Sequence, residues 1–238
     1  MQAFYNRFNY ASNSFVDYYD YENVSRETLN FEVGNGMKRI ITVQHTESIH
    51  HINGMVGSWT DWELTDKGKE DAKKIALHLK EEIQGEKFTL FSSDLIRAKQ
   101  TAEPIAEVLG INAILKKELR ERNLGKCCGN SVKWLKDNFQ CKEVTIDDRL
   151  FSDAESRRDE WNRLIPFFNE IMESQDENII IVSHGDLLSV FNTMFLGLPI
   201  ESLNQLEIWG NSGGVSHMYI DDEGKKFIKM ISNMEYVK

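Results

Sequence analysis

The chain has 238 residues, with 28 Lys and Arg against 38 Asp and Glu, for a net charge of −10. That length buries a sizeable core and fits one main domain, while the acidic balance argues against a nucleic-acid or anionic-membrane partner and leaves room for a locally positive pocket. Cys127, Cys128 and Cys141 make neither a disulfide framework nor a Cys-x-x-Cys pair, which fits a reducing interior and predicts no metal and no cofactor.

Residues 1–36 are unlike the rest, with runs such as Phe15-Val16-Asp17-Tyr18-Tyr19-Asp20-Tyr21. So many aromatics are unusual for a disordered tail. An aromatic-rich extension packed on the domain surface is expected, with a substrate lid or a dimer contact as alternatives. Thr28 to Val33, followed by Gly34-Asn35-Gly36, reads as an edge strand hairpinned into the next one. The N-terminus has no continuous apolar core of the secretory kind, and no run of about 18 apolar residues exists to span a membrane. A cytoplasmic protein with no membrane partner is the expectation, and nothing in the sequence indicates a homo-oligomer.

Residues 37–238 are expected to form the main domain, and there strands and helices alternate. Lys38 to Val43 is a strand. Thr65 caps a helix over 66–84, with Ala72, Ile75, Ala76 and Leu79 at 3/4 spacing and Gly85 as its stop. Phe88 to Phe91 is a strand, and Leu95 to Leu109 a helix that Pro104 should kink or divide. Ala113 to Leu115 is a short strand. Residues 130–158 are weakly patterned apart from a short helix at 131–139. Ser156 to Ser174 reads as a helix with Trp161, Leu164, Ile165, Phe168, Ile171 and Met172 on one face, again interrupted by a proline, Pro166. Ile179 to Val182 is a strand followed by a helix to Leu196, and Val215 to Ile220 and Lys226 to Ile231 form a closing hairpin. This order argues a three-layer α/β/α sandwich with a mostly parallel central sheet.

Three of those strands run into polar, chemistry-bearing residues: Gln44-His45-Thr46-Glu47-Ser48, Ser92-Ser93-Asp94-Leu95-Ile96-Arg97, and Ser183-His184-Gly185-Asp186. In an open parallel sheet, ligands bind beyond the carboxyl ends of the strands. Two imidazoles and a guanidinium converging there suit an anionic phosphoryl group, because arginine presents a planar fork of donors and histidine can attack phosphorus.

These motifs, with Leu64-Thr65-Asp66-Lys67-Gly68 and Leu119-Arg120-Glu121 ahead of Gly125, occur in an order that resembles the histidine phosphatase superfamily, the phosphoglycerate mutase-like proteins. The likeness runs from about Met37 to the C-terminus. It implies a mostly parallel sheet between helices with at least one antiparallel edge strand, and His45 as the nucleophile that becomes a phosphohistidine. It also implies Arg97 as the phosphate clamp, His184 as a second catalytic histidine and phosphate ligand, and Glu121 as the general acid. Two positions depart from the family: Gln44 stands for an arginine and Thr46 for a glycine. Gln44, Thr46 and Ser48 are expected at the phosphate, with His51 and Asn53 as further helpers. Losing a charge-assisted contact at position 44 costs roughly 1.5–3 kcal/mol, or about one to two decades in rate. With no guanidinium there, His45 is expected to take up a proton more readily than in a typical member. Lys126, Arg122 and Arg7 are candidates to restore the missing charge.

The expected function is a metal-independent phosphatase acting on a small phosphorylated metabolite. A catalytically weakened phosphate-binding or regulatory protein is the alternative. A phosphoglycerate mutase fits less well, since the stretch between Glu121 and His184 looks short for the insertion of the dedicated mutases.

Overall fold

The computed structural model describes residues 37–238; the readings made above for residues 1–36 lie outside them. Six strands form one sheet: β1 (Lys38–Gln44), β2 (Thr89–Ser93), β3 (Ala113–Lys116), β4 (Asn178–Ser183), β5 (Val215–Ile220) and β6 (Lys226–Asn233), in the order β3-β2-β4-β1-β5-β6. The β3, β2, β4 and β1 neighbours pair in parallel, while β5 pairs antiparallel with both β1 and β6. This is the expected three-layer α/β/α arrangement, with the closing hairpin as its antiparallel margin.

The apolar runs at Ile40–Val43 and Ile179–Val182 have no polar alternation because both faces of the central strands are covered. Ile40, Ile179 and Ile181 face α5 (Arg157–Glu173) and α6 (Gly185–Phe195), packing with Leu164, Phe167 and Phe191. Ile41, Ile180 and Val182 face α2 (Asp66–Ile83) and α3 (Ile96–Leu109), packing with Ile75, Leu79 and Ile105. On α5 the buried stripe is Leu164, Phe167 and Ile171, with Trp161, Phe168 and Met172 at its margin. Ile165, expected on that face, is 38% exposed. Both α3 and α5 run undivided through Pro104 and Pro166. Packing of Ala98, Ala102 and Ile105 on one side and of the α5 stripe on the other outweighs the backbone hydrogen bond that each proline forfeits.

Two short helices escape or sharpen the sequence reading. The first, α1 (Ile49–Asn53), follows the first strand directly and was not expected. The second, α4 (Val132–Asn138), is capped by the Ser131 hydroxyl, which accepts from Trp134 N–H. It belongs to a satellite core of Val56, Cys127, Phe151 and Ala154 that covers the weakly patterned segment. No helix among the described residues is long and apolar enough to cross a membrane.

Gly68 shows how the site is mounted. A Cβ there would run into the backbone carbonyl of Glu47, so only glycine lets the first turn of α2 close onto the chain two residues past His45. Gly68→Ala is expected to destabilise the protein by about 1–3 kcal/mol or more, read as a lower urea midpoint. An unchanged midpoint would show that this approach can relax.

Candidate active site

The carboxyl ends of β1, β2 and β4 lie at one edge, with Gln44 opposite Ser183 and Ser92 opposite Val182. His45, Arg97 and His184 leave the sheet there, and all three are buried. The backbone around His45 is clamped: its N–H donates to Ser183 O at 2.9 Å, and its carbonyl accepts from Ser212 Oγ at 2.9 Å and Gly213 N at 3.2 Å.

Two contacts set the His45 tautomer. Nδ1 lies 2.8 Å from Thr46 O, an acceptor, so Nδ1 carries the proton. Arg97 Nε donates to His45 Nε2 at 3.2 Å, and a guanidinium accepts no hydrogen bond. Nε2 is therefore the nitrogen with the lone pair. The rest of the Arg97 fork donates to Thr60 O and Ser58 O, each at 2.8 Å. Ser58 holds its carbonyl there in a left-handed conformation, φ 50°, with its own hydroxyl donating to Arg122 O and accepting from Leu124 N–H. A non-glycine residue in that region is strained, and here the strain aims a carbonyl at the buried cation.

His184 is the N-cap residue of α6. Its Nε2 lies 2.8 Å from Ser93 Oγ, and its Nδ1 is buried without a partner. Since Ser93 Oγ accepts from Leu95 N–H at 3.3 Å, the hydroxyl is placed to donate to Nε2. His184 Nδ1 then keeps its proton as a donor for an anion. The His45 and His184 rings meet edge-on with centroids 5.1 Å apart.

His50 and His51 on α1 complete a cluster that sequence reasoning saw only in part. His51 stacks on His45 at 5.4 Å, and the donor atoms of His45, His50 and His51 lie within 4.8 Å of one another. That spacing could span a metal ion, but the electrostatics oppose one. His51 Nδ1 accepts from Ser48 N–H at 3.2 Å, which leaves the proton on Nε2. His50 Nδ1 pairs with Ser48 Oγ at 2.6 Å, and its ring packs so closely on Gly57 that a Cβ there would come within 2.7 Å. Above all, the Arg97 cation faces all three rings, and what repels protons repels metal cations too. The trio reads as an anion site.

That field and burial together lower the basicity of the imidazoles. His45 and His184 are held well below the usual imidazole value by burial first and by Arg97 next. Burial followed by His51 and Arg97 lowers His50 to about 3. Burial pushes Arg97 itself down to about 10. Even with no guanidinium at position 44, burial and Arg97 favour the neutral form of His45.

Glu121 stands at the opposite wall. Its Oε1 accepts from Arg122 N–H at 3.0 Å and Leu187 N–H at 3.2 Å, and Oε2 from Asp186 N–H at 3.4 Å. The carboxyl thus sits on the first turn of α6. Burial and then the Asp186 charge raise it to about 7, outweighing Arg97 and the backbone donors. Burial thus holds this carboxyl in the range where a side chain can exchange a proton near neutrality.

Other expected site residues are placed differently. Thr46 Oγ1 donates to Gly68 O at 2.8 Å, so this hydroxyl ties the strand end to α2 instead of serving a phosphate. Ser48 orients His50 and His51, and Asn53 Oδ1 accepts from Met55 N–H. The Gln44 carboxamide lies between Gly185 and Gly210, with Oε1 buried and unpartnered. No hydrogen bond joins it to Arg97 or His184 among the described residues. Arg122 is committed to Glu143 at 2.8 Å and Asp186 at 3.5 Å, and Lys126 lies over the Phe151 ring at 4.8 Å. Neither restores the missing charge, and Arg7 lies outside the described residues. A cavity of about 930 Å³ lies around Lys80, Phe88, Val108 and Asn178 and contains none of these residues.

Comparison with known proteins agrees with this geometry. The histidine phosphatase superfamily (branch 1) matches residues 40–233. A 2,3-bisphosphoglycerate-dependent phosphoglycerate mutase of Methylobacterium is 28% identical over 186 residues, covering 73% of this chain and 88% of its own. A glucosyl-3-phosphoglycerate phosphatase of Mycolicibacterium vanbaalenii is 26% identical over 192 residues, covering 75% and 83%. The solved mycobacterial glucosyl-3-phosphoglycerate phosphatase superposes with a TM-score of 0.70 at 21% identity, covering 82% of this chain and 98% of that one.

The tautomer and field argument has a direct check by NMR titration. The His45 ring is expected to show no protonation near pH 6.5, while the Glu121 carboxyl titrates near 7. Arg97→Gln should move the His45 midpoint upward. A His45 midpoint that ignores this substitution would remove Arg97 as the source of the field.

Proposed function

We propose, from the premise that this chain belongs to the histidine phosphatase superfamily, that it is a metal-independent phosphatase hydrolysing a small phosphorylated metabolite through a phosphohistidine on His45. The observation that carries this reading is the hydrogen bonding of His45, which leaves the lone pair on Nε2, beside Arg97; a buried Glu121 raised to about 7 supports it.

The phosphoryl group enters between His45 and Arg97, exchanging the Arg97 Nε hydrogen bond for one to a phosphoryl oxygen. His45 Nε2 attacks phosphorus in line while the bond to the alcohol oxygen breaks. Glu121 gives its proton to that departing oxygen. Arg97 and His184 Nδ1 donate to the equatorial oxygens, where charge accumulates. Water then attacks the phosphohistidine, its proton passes to the Glu121 carboxylate, the P–N bond breaks and inorganic phosphate leaves.

A second reading has its own observation. The Gln44 amide lies against Gly185 and Gly210, so the phosphoryl group meets one guanidinium where the family pattern has two. A catalytically weakened phosphate-binding or regulatory protein follows if that loss is decisive.

Hydrolysis of an aryl phosphate in the presence of EDTA separates the two. Native turnover that falls by about three decades or more in His45→Ala is expected. An inactive native protein with activity appearing in Gln44→Arg would favour the second reading. The Glu121 role predicts that kcat/KM of the native enzyme declines as pH rises through about 7, because the acid form is lost. In Glu121→Gln that decline should disappear, with activity about 10²- to 10⁴-fold lower. A decline that persists in the variant would assign it to another group.

A further inference from the structure

Glu121 belongs to no helix or strand: the short 3-10 turn Lys117–Leu119 ends before it, and the next, Gly125–Cys127, begins after it. Its main chain is therefore held by side chains from elsewhere in the fold. The Trp59 indole Nε1–H donates to Glu121 O at 2.6 Å, and Arg163 Nη2 donates to the same oxygen at 3.3 Å. Arg163 Nη1 also donates to Glu118 O at 2.7 Å and Arg120 O at 3.1 Å. That guanidinium is itself fixed by a two-pronged pair with Glu155 at 2.8 and 3.0 Å.

The Trp59 ring is anchored in turn. The guanidinium groups of Arg120 and Arg163 lie 4.7 and 5.8 Å from its centroid, and Arg120 is fixed by two bonds to Asp94 at 2.6 and 2.7 Å. Its chain neighbours hold the other half of the site. Ser58 O and Thr60 O accept from Arg97, each at 2.8 Å, and Thr60 Oγ1 closes the turn onto Gly57 O at 2.6 Å. The Ser58 hydroxyl donates to Arg122 O at 2.7 Å and accepts from Leu124 N–H at 2.8 Å. Residues 58–60 thus grip Arg97 with their carbonyls and the segment of Glu121 with their side chains. A phosphoryl transfer that uses both groups depends on the spacing this strap imposes.

We propose that Trp59 is a positioning residue for Glu121: its indole N–H holds the main chain of the acid, and the strap of residues 58–60 sets the acid at a fixed distance from Arg97. The proposal rests on the phosphatase reading above and adds to it a residue that acts through the Glu121 backbone. Without the indole N–H, the Glu121 carbonyl keeps only the longer bond from Arg163. The carboxyl then loses its fixed direction, while Arg97 keeps the Ser58 and Thr60 carbonyls and its contact with His45. The loss falls on protonation of the leaving oxygen, the step that Glu121 serves. An ester whose leaving group departs without a proton makes little demand on that step.

The test compares kcat/KM for phenyl phosphate, whose leaving oxygen needs a proton, with that for 2,4-dinitrophenyl phosphate, whose leaving group departs as the anion. In Trp59→Phe, which keeps an aromatic ring beside Arg120 and Arg163, the phenyl ester is expected to lose about three- to tenfold more than the dinitrophenyl ester. Glu121→Gln should show the same selectivity on a larger scale, and Trp59→Phe added to it should widen the selectivity no further. Equal losses on the two esters, no loss on either, or a further widening in the double variant would overturn the proposal. Should Trp59→Phe fold poorly, 3-benzothienylalanine at position 59, which exchanges only the indole N–H for sulfur, carries the same comparison. If the native protein hydrolyses neither ester, the phosphatase reading fails, and the Glu121 carboxyl is followed by NMR instead. A midpoint that falls from about 7 in Trp59→Phe, as water reaches the loosened carboxyl, supports the positioning role, and an unchanged midpoint overturns it.

Discussion

The contact on which the site depends is the hydrogen bond from Arg97 Nε to His45 Nε2, made by a guanidinium that is 1% exposed. Burying a charge is costly unless its donors are satisfied. The Ser58 and Thr60 carbonyls meet that demand, and Ser58 adopts a left-handed backbone to do so. Once in place, the cation does three things. It holds the lone pair of His45 on Nε2, it depresses the pKa of every histidine nearby, and it makes the three-imidazole cluster inhospitable to a metal ion. The tautomer of His45 and the lowered pKa values of the imidazoles around it both trace to one buried charge.

Acids and arginines are interleaved around Glu121: it lies in the segment after β3 beside Arg122, against Asp186 in the first turn of α6, and Asp186 pairs with Arg157 in the first turn of α5. The backbone N–H groups at the start of α6 favour a carboxylate there, yet burial and the Asp186 charge prevail and raise Glu121 to about 7. His184 and Asp186, two residues apart in the chain, serve different walls because His184 caps α6 while the Asp186 N–H lies inside its first turn.

Departures from the family pattern in the nucleophile loop acquire a physical meaning in this arrangement. Thr46 is accommodated by donating to Gly68 O, so a residue stiffer than glycine strengthens the tie to α2. Gln44 is the last residue of β1 and shares the face of Ile40 and Thr42. Its amide is therefore directed between Gly185 and Gly210, beside the small cavity that Thr42 and Asn192 also line. The site has lost a guanidinium at this position without gaining a replacement among the described residues.

The alternation of apolar strand runs and capped helices was enough to determine the sheet, its two covering layers and the edge where His45, Arg97 and His184 emerge. Periodicity and capping are local properties, and strand ends are marked by where an apolar run stops. The sequence also singled out Glu121, the last residue of the Leu119-Arg120-Glu121 string, as a residue to look for beside the histidines. Tertiary structure alone decided the rest. Helix α1 is too short to show a period, Pro104 and Pro166 look like breaks until packing is counted, and the partners of Arg122 and Arg157 come from segments far apart in the chain. Side-chain direction, tautomer and protonation state are set by neighbours brought together only by folding. For that reason the sequence could name His45 and Glu121, and only the packed structure could show that burial lowers the basicity of one and raises the pKa of the other, with Arg120, Arg122, Arg157 and Arg163 already paired with acids.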